Sequence, residues 1–258
     1  MPEGHSLRLA AQLLAPLEGK TVRASSGDPR GAAVARAVDG ATLGRAYARG
    51  KHLLLPLEDG RVLHSHLRMR GSWQLFRAGE RWSKPERLAW LILDAEGLVA
   101  VQFNGPVLEL LRPGALALHP VLSRLGPDVL DDDFDAARAA RNAIRAAEDR
   151  QVAEVLLDQR VASGIGNVAK SEGLWAARVN PFATPAEIGE ERLAKAYLAA
   201  AGWLAAALRH GGSAPRHVYG QPVCPRCGKR TSKRAQGDDA RTTWWCPHCQ
   251  GAGSGNRP

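Results

Sequence analysis

Cys224-Pro225-Arg226-Cys227 and Cys246-Pro247-His248-Cys249 are two Cys-x2-Cys knuckles separated by 18 residues, and they hold all four cysteines of the chain. Each knuckle turns tightly enough to aim two thiolates at one cation, and two knuckles close a tetrahedral Zn²⁺ shell with no open position. The spacing is that of a zinc ribbon. It predicts one structural zinc per chain, held by Cys224, Cys227, Cys246 and Cys249, with His248 a bystander. A redox dithiol would need only one knuckle, and a disulfide scaffold would spread its cysteines along the chain, so a reducing compartment is expected. Between the knuckles, Thr231 to Trp245 reads as a hairpin turning at Gly237-Asp238-Asp239 and carrying Lys233, Arg234 and Arg241 outward.

The same segment concentrates the charge. Of a formal net charge of +9, residues Pro215 to Pro258 carry +6, eight basic residues against Asp238 and Asp239. Such a block fits a polyanion partner, because each neutralised phosphate releases counterions; a solvated basic tail fits equally well. The whole chain has 258 residues, 45% hydrophobic and 24% charged, which excludes disorder as its main state. The longest uncharged apolar stretch of note, Ala196 to Leu208, has 13 residues, short of the ~18 that a membrane span needs. Glu3, His5 and Arg8 stand where a signal peptide would be apolar.

Upstream of the knuckles the pattern is helical, from about His119 to His210. Asp131 to Ala147, Gln151 to Ala162, Val168 to Ala177 and Ala186 to Arg209 read as helices, the last with Thr184-Pro185 as cap and first position. Leu156-Leu157-Asp158-Gln159 and Gly164-Ile165-Gly166-Asn167 form a glycine-rich break, with Asn167 placed to cap the helix from Val168. A helix start of this kind can hold a phosphate; it can equally be an ordinary packing corner. Further upstream, Ala46–Leu55, Arg61–Leu67, Gly71–Phe76, Leu88–Leu93 and Leu98–Phe103 read as short strands separated by turns such as Glu58-Asp59-Gly60 and Ala95-Glu96-Gly97. Short strands with tight turns predict an antiparallel sandwich or barrel, preceded by an amphipathic helix over Ser6–Leu17 and separated from the helical half near Arg112 to Pro120.

The chain opens Met1-Pro2-Glu3-Gly4. Loss of Met1 would expose the secondary amine of Pro2, partly neutral near pH 7 because α-amino groups titrate at about 7.7–8. Such an amine can attack a sugar carbon and leave an iminium, a fixed electron sink, with Glu3 moving protons. Taken alone, the segment is equally an ordinary chain start.

In combination these motifs carry a resemblance. Met1-Pro2-Glu3-Gly4, Arg49-Gly50-Lys51-His52-Leu53-Leu54, Ser65-His66-Leu67, Leu125-Gly126-Pro127-Asp128-Val129-Leu130, the glycine-rich break and the cysteine knuckles follow in order. The chain resembles the formamidopyrimidine-DNA glycosylase / endonuclease VIII family of base-excision repair enzymes over nearly its whole length. The resemblance implies an α+β multidomain fold. Residues 1–115 would form a catalytic antiparallel β-sandwich with flanking helices, 116–214 a helix–two-turn–helix domain, and 215–252 a zinc finger; 253–258 would be a disordered tail. A DNA cleft would lie between the halves.

It also implies roles. Pro2 matches the nucleophile, Glu3 the adjacent proton shuttle, and Lys51 an essential lysine on a β-strand facing the damaged nucleotide. His66 matches a phosphate-contacting histidine, and Asn167 with Arg241 the pair that grips the kinked backbone. Arg68, Met69 and Arg70 stand where the family inserts side chains into the gap left by a flipped base, which lowers the cost of unstacking. The implied partner is damaged DNA, and the implied setting a monomer in the bacterial cytoplasm, associated with the nucleoid.

Three departures are visible. The second N-terminal glutamate is absent, with Ser6 near its place, and the usual basic Tyr-Gly-Arg segment is Tyr219-Gly220-Gln221. The link His210 to Val223 is too short for the loop that caps 8-oxoguanine, which points to the endonuclease VIII branch and oxidised pyrimidines. Alternatives are a purine-directed glycosylase, a noncatalytic zinc-ribbon DNA- or RNA-binding protein, and a ribosome-associated zinc ribbon. The noncatalytic readings leave Pro2, Glu3 and Lys51 together without a purpose.

Overall fold

The computed structural model describes residues 2–147, 149–238 and 240–251. It divides into two compact units, Met1–Arg124 and Leu125–Pro258. The tail expected over 253–258 lies outside the described residues, as does Asp239 of the expected hairpin turn. Among the described residues, no helix is long and apolar enough to cross a membrane.

The first unit begins with α1 (Gly4–Leu14), which buries Leu7, Ala10 and Leu14 along one face and ends where Pro16 tightens the chain into a 3₁₀ turn. Two four-stranded sheets follow. One has the order β1 (Arg23–Ser25), β6 (Ala89–Ala95), β7 (Leu98–Phe103), β5 (Ser72–Arg77); the other has β2 (Tyr47–Arg49), β3 (His52–Pro56), β4 (Val62–His66), β8 (Val107–Leu111). Every pairing is antiparallel. Alternation sorts the strands: Leu53, Leu55, Leu63, Leu91, Leu93 and Ala100 enter one core with Leu7, Leu14 and Trp73. The opposite face of the first sheet buries Ile92, Val99, Val101 and Phe103 in a second cluster. Helix α1 packs on β2, β3 and β5, and α2 (Ala32–Val38) on β1, β6 and β8.

Three details depart from the sequence expectation. The run Ala46–Leu55 is not one strand. Arg49 pairs with His52, so Gly50-Lys51 is a two-residue hairpin turn, with Gly50 at φ +58°. Lys51 is therefore at a turn and not on a strand. Strands β1 and β8 and helix α2 were not expected.

In the second unit, α3 (Ala136–Ala146) is capped by Asp135, whose Oδ1 accepts from Arg138 N–H at 2.8 Å. Its small residues Ala139, Ala140 and Ala143 are fully buried, and α3 packs closely on the long helix α7 (Glu190–Arg209). The expected helix over Gln151–Ala162 is a single turn, α4 (Val152–Val155). Asp158 ends it by accepting from Arg150 and Arg160 at 2.9 and 2.7 Å. Gln159 then staples the break: its Nε2 donates to Leu157 O and Ile165 O, and its Oε1 accepts from Gly164 N–H. Gly126 must be glycine, since a Cβ there would lie 2.6 Å from Arg160 O. Helix α5 (Asn167–Ala176) starts with Gly166 as its cap, so Asn167 is the first helical residue and not the cap. Thr184 caps α6 (Pro185–Ile188) as expected, its Oγ1 accepting from Glu187 N–H at 3.3 Å, and Gly189 separates α6 from α7. The hairpin is β9 (Ser232–Gln236) against β10 (Arg241–Trp245), and α8 (Pro247–Gln250) closes the second knuckle.

Candidate nucleic-acid interface and metal centre

Glu3 is buried at the head of α1, with Pro2 half-buried before it. Ser6 answers the missing glutamate locally: its Oγ accepts from Glu3 N–H at 3.3 Å, and its own N–H donates to Glu3 O at 2.9 Å. The Ser6 hydroxyl on Glu3 N–H is one half of a capping box, whose other half is the Glu3 side chain on the Ser6 N–H, so Ser6 helps fix the backbone that carries Pro2 and Glu3.

The second sheet presents a basic surface. Lys51 at the β2–β3 turn and Arg68 in the β4–β5 turn both act electrostatically on the His66 ring. Burial, with these two cations, pushes His66 down to about 4. Its Nδ1 accepts from Arg68 N–H at 2.9 Å, so the proton of this neutral ring sits on Nε2. Arg68, Met69 and Arg70 are all exposed, Met69 by 59%. Their turn is drawn tight by Gly71 N–H on Leu67 O at 2.9 Å, where a Cβ at Gly71 would lie 2.5 Å from that oxygen. Arg68 itself has φ +48°, a left-handed conformation normally left to glycine.

Three further groups share this face and were missed from the sequence. His52 Nδ1–H donates to His64 Nε2 at 2.8 Å, and His64 Nδ1–H donates to Glu109 Oε1 at 2.6 Å. The edge of His52 packs on His66, ring centres 4.8 Å apart. The one available signal was the two-residue spacing of His64 and His66 in β4, which puts both on one face. Burial lowers His52 to about 2, the neighbouring histidines and Lys51 adding to it. Histidines held neutral in the folded state but protonating near 6.5 when unfolded must weaken the fold in acid. Stability of the first unit should be full above pH 6.5 and fall as pH drops toward 4. The expected loss is up to about 1.4 kcal/mol per pH unit for each of His52 and His66. Urea midpoints measured at pH 7 and pH 5 check this, and equal midpoints would contradict it.

In the second unit, Asn167 and Arg241 are brought to one place. Asn167 Nδ2 donates to Thr242 O at 2.6 Å, next to Arg241, and its Oδ1 accepts from the buried Lys170 ammonium at 2.6 Å. Lys170 also donates to Thr243 Oγ1 at 2.8 Å. The Asn167 carboxamide thus fastens α5 to β10. Arg241 and Lys233 are exposed as expected, but Arg234 is not carried outward: it lies over the Phe182 ring at 3.7 Å.

The four cysteine sulfurs converge, all within 4.8 Å of one another. Cys224–Cys249 is 3.9 Å and Cys227–Cys246 is 3.5 Å. Zn–S bonds of about 2.3 Å in a tetrahedron require S···S edges of about 3.8 Å, so the set fits zinc. His248 is exposed and outside this set. Burial raises the Cys224 thiol, but the Trp175 indole and the backbone N–H groups of Arg226 and Cys227 outweigh burial and lower it, whereas burial and the neighbouring sulfurs raise Cys246 and Cys249. The Trp175 ring, whose N–H lies 3.2 Å from Cys224 Sγ, carries the Arg226 guanidinium at 4.1 Å and stacks on His217 at 4.5 Å.

A two-sheet unit whose first helix is headed by Pro2-Glu3, followed by a helix–two-turn–helix and a four-thiol hairpin, is a particular pairing of parts, and it recurs in known proteins. Residues 1–106 match the formamidopyrimidine-DNA glycosylase N-terminal domain, and residues 125–218 its H2TH domain. A probable endonuclease 8 2 of Streptomyces coelicolor is 39% identical over 272 residues, covering 100% of this chain and 96% of that one. The DNA-(apurinic or apyrimidinic site) lyase Nei2 of Mycolicibacterium smegmatis is 34% identical, covering 98% and 100%. The crystal structure of the MutM (Fpg) protein of Thermus thermophilus matches with a TM-score of 0.82 at 30% identity, covering 97% of this chain and 99% of that one. The chain belongs to the formamidopyrimidine-DNA glycosylase family.

Proposed function

We propose that this protein is a base-excision repair DNA glycosylase with AP lyase activity. It removes oxidised pyrimidines by attack of the Pro2 amine and cuts the strand by β,δ-elimination. The observation that carries the reading is Pro2-Glu3 heading α1 in a chain that matches, end to end, relatives named endonuclease 8 and AP lyase. Glu3 shuttles protons for base loss and sugar opening, and Lys51 meets the damaged nucleotide. Arg68, Met69 and Arg70 fill the gap in the duplex, while His66 and Arg241 hold phosphates and Asn167 holds the hairpin that carries Arg241. One zinc on Cys224, Cys227, Cys246 and Cys249 keeps that hairpin folded. The organisation is 1–115 catalytic, 116–214 helix–two-turn–helix and 215–252 zinc finger, acting as a monomer on damaged DNA in the bacterial cytoplasm, at the nucleoid. The pyrimidine preference rests on the short His210–Val223 link and on the endonuclease 8 names of the relatives.

Duplexes carrying one oxidised pyrimidine, one 8-oxoguanine or one abasic site test this together. Base release from the pyrimidine, cutting to phosphate ends and a borohydride crosslink are expected. Faster release of 8-oxoguanine would move the protein to the purine-directed class, and tight binding with neither release nor crosslink would make it a binding module.

The phosphate roles separate by salt. Replacing Arg241 with alanine should flatten the salt dependence of duplex binding by about one counterion. His66→Ala should weaken binding without changing the slope, because the ring is a neutral donor. A changed slope for His66→Ala would show that the ring carries charge on DNA.

A further inference from the structure

His64, Glu109 and His119 bring three donor atoms within 4.8 Å, close enough to suggest a second metal site. The protons argue otherwise. His119 Nδ1 accepts from Val121 N–H at 3.2 Å and from Leu122 N–H at 3.1 Å, so its proton sits on Nε2 and points at Glu109 Oε1, 3.0 Å away. A metal-bound histidine gives its second N–H to an acceptor; here that nitrogen is itself the acceptor. The group is therefore a hydrogen-bonded chain running from His119 through Glu109 and His64 to His52, fixed at the His119 end by backbone N–H groups.

The direction of the chain follows. Both His119 Nε2–H and His64 Nδ1–H donate to the Glu109 carboxylate. His64 Nε2 accepts from His52 Nδ1–H. That leaves the Nε2 of His52 as a lone pair, with no hydrogen-bond partner among the described residues, on a residue that is 7% exposed. At the other end, the Glu109 side chain is 43% exposed. Its hydrogen bonds from His64 and His119 outweigh burial and keep it ionised.

We infer that His52, His64 and Glu109 form a proton relay from the Lys51–His66 surface to solvent, serving the elimination steps of the lyase reaction. The inference rests on the reading in Proposed function. Elimination breaks a C–H bond of the deoxyribose, leaving the electron pair in the new double bond, and the proton must go to a base. His52 Nε2 takes it. His52 Nδ1 passes its proton to His64 Nε2, His64 Nδ1 passes its proton to a Glu109 oxygen, and Glu109 releases it to water. Each ring ends neutral with its tautomer exchanged, so no positive charge need settle on His52 beside Lys51, His66 and Arg68. Reorientation of the two rings resets the chain.

Glu109→Gln is the decisive variant, because the amide oxygen still accepts from His64 and His119 but cannot take a proton. Cleavage of a preformed abasic site in single turnover should slow at least tenfold at pH 7, the lower end of general base effects, and recover with added imidazole. Borohydride crosslinking, which reports the iminium before elimination, should stay within about twofold of wild type. The pH profile should lose the limb that Glu109 governs. Imidazole ¹⁵N spectra of the wild type should show Nδ1 protonated in His52 and His64 and bare in His66 and His119. Wild-type cleavage by Glu109→Gln, or a different tautomer pattern, overturns the relay while the lyase reading stands. Failure of the wild type to crosslink abasic DNA overturns both.

Discussion

Protein that keeps one extra residue ahead of Pro2 should give no borohydride crosslink with abasic DNA, although it folds and binds DNA normally. An N-terminal proline is a secondary amine, and near pH 7 a usable fraction is neutral, since α-amino groups titrate at about 7.7–8. One preceding residue turns that nitrogen into an amide whose lone pair is delocalised into the carbonyl. Nucleophilicity is then gone while the α1 start, with Ser6 on Glu3 N–H, keeps its geometry. The expected effect is loss of trapping to background. Pro2→Gly should trap less without losing it, because a primary amine remains. Glu3→Gln should bind lesion DNA and release little base. Crosslinking that persists with a blocked N-terminus would make a lysine the nucleophile, with Lys51 the first to examine.

The second large effect is expected from Cys227→Ser. Structural zinc contributes on the order of 10–16 kcal/mol of apparent binding free energy in small zinc modules, far more than a short hairpin gains from its own contacts. With one thiolate lost, bound zinc should fall from one per chain to near zero and β9–β10 should lose its order. Duplex binding should drop with it, because Arg241 stands at the start of β10 and Asn167 is tied to Thr242. The first unit has its own core, formed by residues 7 to 100, and should keep its urea transition. Absence of zinc from the wild-type protein would remove the basis of this expectation.

What could be read ahead of the structure was what short-range chemistry dictates. The knuckles were legible because two residues between cysteines fix a turn whatever surrounds it, and the sulfurs do converge. The Thr184-Pro185 helix start is local in the same sense. The central strands announced themselves by β-formers between turn residues. Strand β1 was too short to show, with three residues and one partly buried side chain. Helix α2 escaped because Ala32-Ala33-Val34-Ala35-Arg36-Ala37-Val38 suits a half-buried strand as well as a two-turn helix. Gln151 to Ala162 has the apolar spacing of a long helix, yet Asp158 and Gln159 spend their side chains on Arg150, Arg160 and the loop, and the helix stops.

The site was legible in part for the same reason. Spacing named the cysteines and the family resemblance named Pro2, Glu3 and Lys51, but neither gave their surroundings. Asn167 looked like a cap because asparagine often is one; tertiary contacts with Thr242 and Lys170 claimed its carboxamide first. Glu109 could not be joined to His64 before the β4–β8 register was known, since 45 residues separate them in the chain.

Trp175 gives the zinc ribbon an optical signature. Its indole N–H meets the Cys224 sulfur, and its ring holds the Arg226 cation and the His217 imidazole. Electron-rich thiolates and stacked imidazoles drain the excited state of tryptophan, so this residue should emit weakly while the four thiolates are assembled. Chelation or oxidation that lets Cys224 move would free it to emit, above the steady background of the other six tryptophans. A fluorimeter could then follow the integrity of the β9–β10 hairpin and its four thiols in real time, without any added label.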